Sequence, residues 1–227
     1  MNQHLLPAYP VDAILLLGPT GVGKSPLGDA IATHGLFDRT CFHLDFGSAL
    51  RDAVSGGQRS APYSSDELKF IHGVLEHGLL LENEHFPLAE KIIKLYLARV
   101  GFSQGNVLVL NGIPRHAGQA ANIASIADIH ALIVLECSAD EVFCRIRNNI
   151  GGDRTERVDD NKELIEKKLK IFRERTAPLI EHYKNQGRSI YTVRVTETMT
   201  PEEALGNLSD LAAGNPPVSF IAEPPQR

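Results

Sequence analysis

The chain has 227 residues, 43% hydrophobic and 22% charged, which suits one sizeable α/β core better than two independent domains. Its formal net charge of −5 and pI near 6.0 leave no global basic field, so nucleic acid is disfavoured as a main partner. Cys41, Cys137 and Cys144 are unevenly spaced without a CxxC pair and read as reduced, buried thiols; with no apolar run long enough to span a bilayer, the expected location is the cytoplasm, away from any membrane.

The first strand is predicted over 11–17, and the glycine-rich Gly18-Pro19-Thr20-Gly21-Val22-Gly23-Lys24-Ser25 leads from it into a helix over 23–34. Pro26 falls in that helix's first turn, where a missing N–H is tolerated. A second strand is predicted over 40–45. A short helix over 47–55, a polar loop over 56–65 and helices over 66–77 and 86–100 then form a helical insertion between strands. Residues 106–110 read as the third strand, 111–126 as a loop and helix, and 131–136 as the fourth strand. Continuous apolar runs alternating with helices indicate a parallel sheet covered on both faces.

A helix over 140–149 and a glycine-containing loop over 150–156 come next. A long helix then begins at a cap supplied by Asp159 or Asp160. It carries Ile165, Leu169, Phe172, Thr176, Leu179 and Tyr183 on one side, and Pro178 is placed to kink it. The last strand is predicted over 189–195 and the last helix over 201–211; residues 214–227, rich in proline, read as a loosely held tail.

A strand, a glycine loop and a helix in that order form a Walker-type phosphate cradle. Gly18, Thr20, Gly21, Val22 and Gly23 let backbone N–H groups turn inward around phosphate oxygens. Lys24 supplies a point charge near the terminal phosphates, and Ser25 can ligate Mg²⁺. A nucleotide polyphosphate with Mg²⁺ is the ligand this implies. A second constellation, Asn111-Gly112-Ile113-Pro114-Arg115-His116-Ala117-Gly118-Gln119-Ala120, stands directly after a strand, where open α/β sheets bind ligands.

That segment resembles the DGFPRxxxQA signature of the adenylate kinase family. Phe46-Gly47-Ser48-Ala49-Leu50-Arg51 is similar to the family's TGDxLR segment, and Arg157-Val158-Asp159-Asp160 to its RxDD segment. The similarity keeps its order from about residue 12 to 211. It implies a P-loop NTPase fold, an α/β architecture with a five-stranded parallel sheet of order 2-3-1-4-5. It also implies one kinase domain over 1–213: a core over 11–45, 101–149 and 158–213, an acceptor-binding insert over about 46–100, and a lid over about 150–157 of the short type. Gly151 and Gly152 would let that lid close.

By position, the resemblance assigns Lys24 and Arg145 to the ATP side, Arg51 and Arg115 to the acceptor's phosphate, and Gln119 to the acceptor base. Arg157 would bridge the two phosphate chains, with Phe46, Leu81, Gly112, Arg154 and Lys168 around the acceptor. The catalytic set is then Lys24, Arg115, Arg145 and Arg157. Phosphoryl transfer between polyanions needs several such cations to neutralise and align them. Nucleotide substrates and a monomeric state are expected by the same analogy.

Four positions depart from the family pattern. Asn111 and Ser48 replace carboxylates that orient waters around Mg²⁺, Phe46 replaces a threonine at the adenine, and Lys168 replaces an arginine. Asn111 can still reach Mg²⁺ through a water, without negative charge. Asp45, ending the second strand, can serve as a metal-water acceptor, a general base or an N-cap. The leading reading is a nucleoside monophosphate kinase, with AMP as first acceptor because family members carry glutamine at the Gln119 position for adenine. Two others stand beside it: a kinase for a small hydroxyl metabolite with Asp45 as base, and a catalytically weak nucleotide-binding regulatory module. His43, His85 and His116 show no metal-ligand spacing and read as packing or surface residues.

Overall fold

The computed structural model describes residues 7–152, 162–214, 216, 217 and 220. Five parallel strands, β1 (Val11–Leu17), β2 (Cys41–Asp45), β3 (Val107–Asn111), β4 (Ala127–Glu136) and β5 (Ser189–Arg194), form one sheet in the order β2-β3-β1-β4-β5. This is the predicted order. Central β1 is all but sealed: Ala13, Ile14 and Leu15 are 0% exposed. Its side chains alternate between two cores, Ala13, Leu15 and Leu17 facing one and Ile14 and Leu16 the other, as a strand covered on both faces must.

Nine α-helices are described: α1 (Lys24–His34), α2 (Phe46–Val54), α3 (Ser65–His77), α4 (Phe86–Val100), α5 (Ala117–Ile123), α6 (Ala139–Asn148), α7 (Lys162–Ile171), α8 (Pro178–Lys184) and α9 (Pro201–Ala213). Three start at capping boxes built on Ser64 and Glu67, Ser138 and Glu141, and Thr200 and Glu203. Each box satisfies two otherwise orphaned N–H groups and is worth about 1 kcal/mol. The first helix is different: its N-cap, Gly23, is left-handed at φ 106° and offers no side-chain cap. Helix α1 therefore begins as a backbone cradle.

The structure departs from the sequence expectation in four places. Strand β4 begins at Ala127 rather than 131, because Asp128 and His130 break the apolar run yet find partners: Arg188 donates to Asp128 at 2.7 Å and His130 lies 2.9 Å from Asp12. His130 is the extra residue where the β1–β4 register shifts, Ala13 pairing with Ile129 and Ile14 with Ala131. Asn111 is the last residue of β3, not the first of a loop. The long helix is divided in three, with a π-helical turn over Phe172–Thr176 between α7 and α8 in which the Ala177 N–H bonds the Phe172 carbonyl at 2.8 Å. Pro178 has no N–H for a regular turn and its ring would crowd the Glu174 carbonyl, so the backbone takes the wider turn. Finally, the tail is held at Phe220, whose ring centroid is 5.7 Å from that of Phe37 and 5.0 Å from that of His130, under the Arg39 guanidinium. The proposed caps Asp159 and Asp160 lie outside the described residues.

Candidate active site

The carboxyl ends of β1, β2 and β3 open into a cleft walled by the glycine loop, the start of α2, the loop after α3 and the segment leading into α5. Lys24, Arg51, Arg115 and Arg145 all line it, with Asp45 as its one carboxylate among the described lining residues. Four cations from distant parts of the chain thus meet beside the phosphate cradle. Arg154 and Arg157 lie outside the described residues.

The glycine loop is shaped by close approach. Gly18 (φ 151°) has the Leu135 carbonyl oxygen only 2.7 Å from where a Cβ would stand, and Gly21 (φ 80°) is crowded by the Ile146 side chain at 2.6 Å. Buried Val22 anchors the loop in the core, and Thr20 faces the cleft. The Lys24 ammonium donates to the carbonyls of Gly18 and Pro19 at 2.8 and 2.7 Å, wrapping its own loop. Above it, Arg145 is buried and donates to the carbonyls of Thr196 at 2.6 Å and Met199 at 2.9 Å, which pins α6 to the loop after β5. Its other terminal nitrogen lies 3.1 Å from the point a Gly23 Cβ would occupy.

Arg115 follows the cis Ile113–Pro114 peptide, and its backbone is clamped on both sides. Its N–H donates to Gln119 Oε1 at 2.7 Å, and its carbonyl accepts the Thr176 hydroxyl at 2.9 Å. Its guanidinium has no acidic partner among the described residues. Burial, together with the neighbouring Arg175 charge, pushes its pKa down to about 10. A cation held in such a place is disfavoured until an anion arrives.

Buried Gln119 also donates from Nε2 to the Leu81 carbonyl at 2.7 Å, so its amide bridges the two walls of the cleft. Phe46 and Leu81 are buried, while Leu79 is 51% exposed on the rim. Gly112 (φ 89°) lets the backbone pass Phe46, whose Cβ is 3.6 Å from a would-be Gly112 Cβ. Lys168 is set apart from the main cleft and lines an adjoining hollow shared with Arg51 and Arg115.

Asp45 is the N-cap of α2, one of its expected places, and also reaches the start of α1. Its Oδ1 accepts the Ser48 N–H at 2.8 Å, capping α2, and its Oδ2 accepts the Ser25 hydroxyl and, at 3.1 Å, Asn111 Nδ2. Burial alone would raise its pKa, but the Ser25 and Ser48 donors, with the charges of His43 and Arg51, outweigh it and hold the carboxyl below the usual range.

Sequence reasoning missed the groups that brace the site. Arg175 forms a two-pronged ion pair with Glu82, at 2.6 and 2.8 Å, and Lys167 donates to the His77 carbonyl at 2.8 Å, tying the loop after α3 to the helix beyond residue 161. Thr176, expected only as part of the packed side of the long helix, is carried by the π-turn to Arg115, where its hydroxyl bonds the backbone. His116 is a buried packing residue rather than a surface one, caps α5 and lies 3.1 Å from the Leu81 carbonyl. The ion pair leaves no local signal in sequence, and of the π-turn Pro178 signals only a break from the regular helix. Burial raises the Cys41 thiol to about 11, and burial with the Glu141 charge does the same for Cys137; Cys41 is buried as expected, whereas Cys137 and Cys144 are half-buried.

No helix among the described residues is long and apolar enough to cross a membrane. No protein-family model matches the chain. It is 31% identical over 179 residues to an adenylate kinase of Prochlorococcus marinus, covering 77% of this chain and 85% of that one. A second Prochlorococcus marinus adenylate kinase, from strain MIT 9303, is 32% identical over 184 residues with the same coverage. UMP-CMP kinase 3 of Oryza sativa subsp. japonica is 28% identical over 83% of this chain and 81% of its own. Among solved structures, a gluconokinase from Sinorhizobium meliloti 1021 aligns with a TM-score of 0.50 and 17% identity, over 95% of this chain and 99% of that one, a likeness of fold alone.

Proposed function

Since the chain belongs to the adenylate kinase family of phosphotransferases, we propose that it transfers the γ-phosphate of ATP to a nucleoside monophosphate, with AMP as its preferred acceptor. One observation carries this reading: among the described residues, four cationic side chains line a single cleft with one carboxylate, a charge balance suited to two phosphate chains. Lys24 and Arg145 serve the ATP side. Arg51 and Arg115 take the acceptor's phosphate, and Arg154 and Arg157 complete the set from the short lid.

Positioning, rather than covalent chemistry by the protein, supplies the catalysis. Gln119 supports adenine through the family resemblance, and its bridged amide is held in one orientation by Leu81 and Arg115. Residues 46–100 act as the acceptor-binding insert, with Phe46, Leu81 and Gly112 against the acceptor and Lys168 nearby. A cytoplasmic monomer belongs to the same reading. Ser25 suits Mg²⁺, which takes oxygen ligands and keeps waters, so few protein groups are needed. When bound, the ion neutralises phosphate charge.

The reading in which Asp45 is a general base for a sugar-type hydroxyl is weakened by its bonds: both oxygens already accept donors and its basicity is lowered. Coupled assays with AMP, CMP, UMP, GMP and dAMP test the proposal. AMP should give the highest kcat/KM, and Lys24→Ala should abolish transfer. Preference for CMP or UMP would overturn the acceptor, and no transfer above the Lys24→Ala control with any of the five would overturn the activity.

A further inference from the structure

Asp45 ends β2 and Asn111 ends β3, and the parallel register sets them side by side. Partners in register project to the same face of a sheet, which here brings both to Ser25 at the start of α1. Asn111 Nδ2 lies 3.1 Å from Asp45 Oδ2 and 3.1 Å from Ser25 Oγ, and the Ser25 hydroxyl bonds Asp45. An ionised carboxylate only accepts, which fixes the sense of every bond. Ser25 must donate to Asp45, and Asn111 must present its NH₂ to both. The Ser25 oxygen accepts from Asn111 with one lone pair and keeps the other.

A hard divalent cation beside a nucleotide needs anionic oxygen, and Asp45 is the single carboxylate among the described residues of this cleft. No group of three acidic, histidine or cysteine side chains capable of holding a metal by itself occurs among the described residues. That suits an ion bound through phosphates and one or two protein groups, and excludes a dedicated protein cage there. Asn111, buried with its NH₂ directed inward, is neutral and serves as a brace.

Building on the nucleotide-binding reading above, we infer that Asp45 provides the carboxylate for Mg²⁺ in this protein, acting from β2, while Asn111 on β3 positions it and Ser25. The carboxylate thus comes from β2, whereas the family resemblance expects an aspartate on β3 at the Asn111 position.

The test is calorimetric titration of the full chain with ATP, with and without Mg²⁺, together with the electron paramagnetic resonance spectrum of bound Mn²⁺-ATP. Asp45→Asn should lose at least tenfold of the metal-dependent gain in ATP affinity and alter the Mn²⁺ spectrum, while binding metal-free ATP no more weakly than wild type. The exchange variant Asp45→Asn with Asn111→Asp should recover most of the gain, because it rebuilds the same three-residue bond network with the charge on β3. An undiminished metal gain in Asp45→Asn, an equal loss for metal-free ATP, or no recovery on exchange would overturn the inference. Should Asp45→Asn fail to fold, the exchange variant decides alone: a retained metal gain supports the inference and its loss overturns it. Wild-type protein that binds ATP equally well with and without Mg²⁺ defeats this inference and leaves the kinase fold reading standing, whereas wild-type protein that binds no ATP defeats both.

Discussion

Replacing Arg115 with methionine separates its functional worth from its structural cost. Methionine keeps much of the aliphatic stem and removes a guanidinium that has no acidic partner among the described residues. The fall of its pKa to about 10 corresponds to roughly 3 kcal/mol of disfavour for the cation at neutral pH. Water in the open cleft screens part of this, leaving about 1–2 kcal/mol. For a base whose folded pKa is lowered, the charged form is the one the fold resists, so removing the charge should stabilise. Thermal unfolding of Arg115→Met should rise by about 3–6 °C. The same substitution deletes a fork for the acceptor's phosphate, worth about 3–4 kcal/mol, so kcat/KM for the acceptor should fall roughly 10²- to 10³-fold. Added acceptor should raise the wild-type melting temperature and leave that of the variant unchanged. A variant that melts below wild type would refute the assignment of strain to this cation, and acceptor kinetics within twofold of wild type would refute its contact with the phosphate.

Two further substitutions probe the cradle beneath it. In Gly18→Ala the new methyl would meet the Leu135 backbone carbonyl at 2.7 Å and Val22 Cγ1 at 2.9 Å; because β4 cannot yield, stability should drop by about 1–3 kcal/mol and ATP affinity at least tenfold, and calorimetry giving unchanged affinity would count against it. Asp45 titrates with the opposite sign to Arg115: its folded pKa lies below the unfolded one, so its contribution is complete above the unfolded value and is lost as pH falls through the folded value. Urea unfolding across acidic pH should therefore show wild type losing more stability than Asp45→Asn below about pH 4, with parallel curves above about pH 5; parallel curves throughout would contradict it.

Much of this architecture is legible residue by residue. The apolar run over 13–17, the glycines before Lys24 and the alternation of strands with helices identify a parallel sheet with a phosphate cradle, because buried strands and backbone anion sites depend on local composition and spacing. Strand β4 extends beyond its apolar run although Asp128 and His130 are polar, because their distant partners Arg188 and Asp12 make them acceptable in a strand.

The sequence by itself determined which chemical groups are present and near which strands they fall: Lys24 and Ser25 after β1, Asp45 at the end of β2, and Asn111 and Arg115 in the segment following the third apolar run. Tertiary structure alone decided how they act on one another. That Asp45 caps α2 with one oxygen and engages Ser25 and Asn111 with the other depends on the β2–β3 register. That Thr176 grips the Arg115 backbone depends on a π-turn ahead of Pro178, 61 residues away. Hydrogen bonds and ion pairs across such separations are set by the packing of whole elements, and no local pattern encodes them.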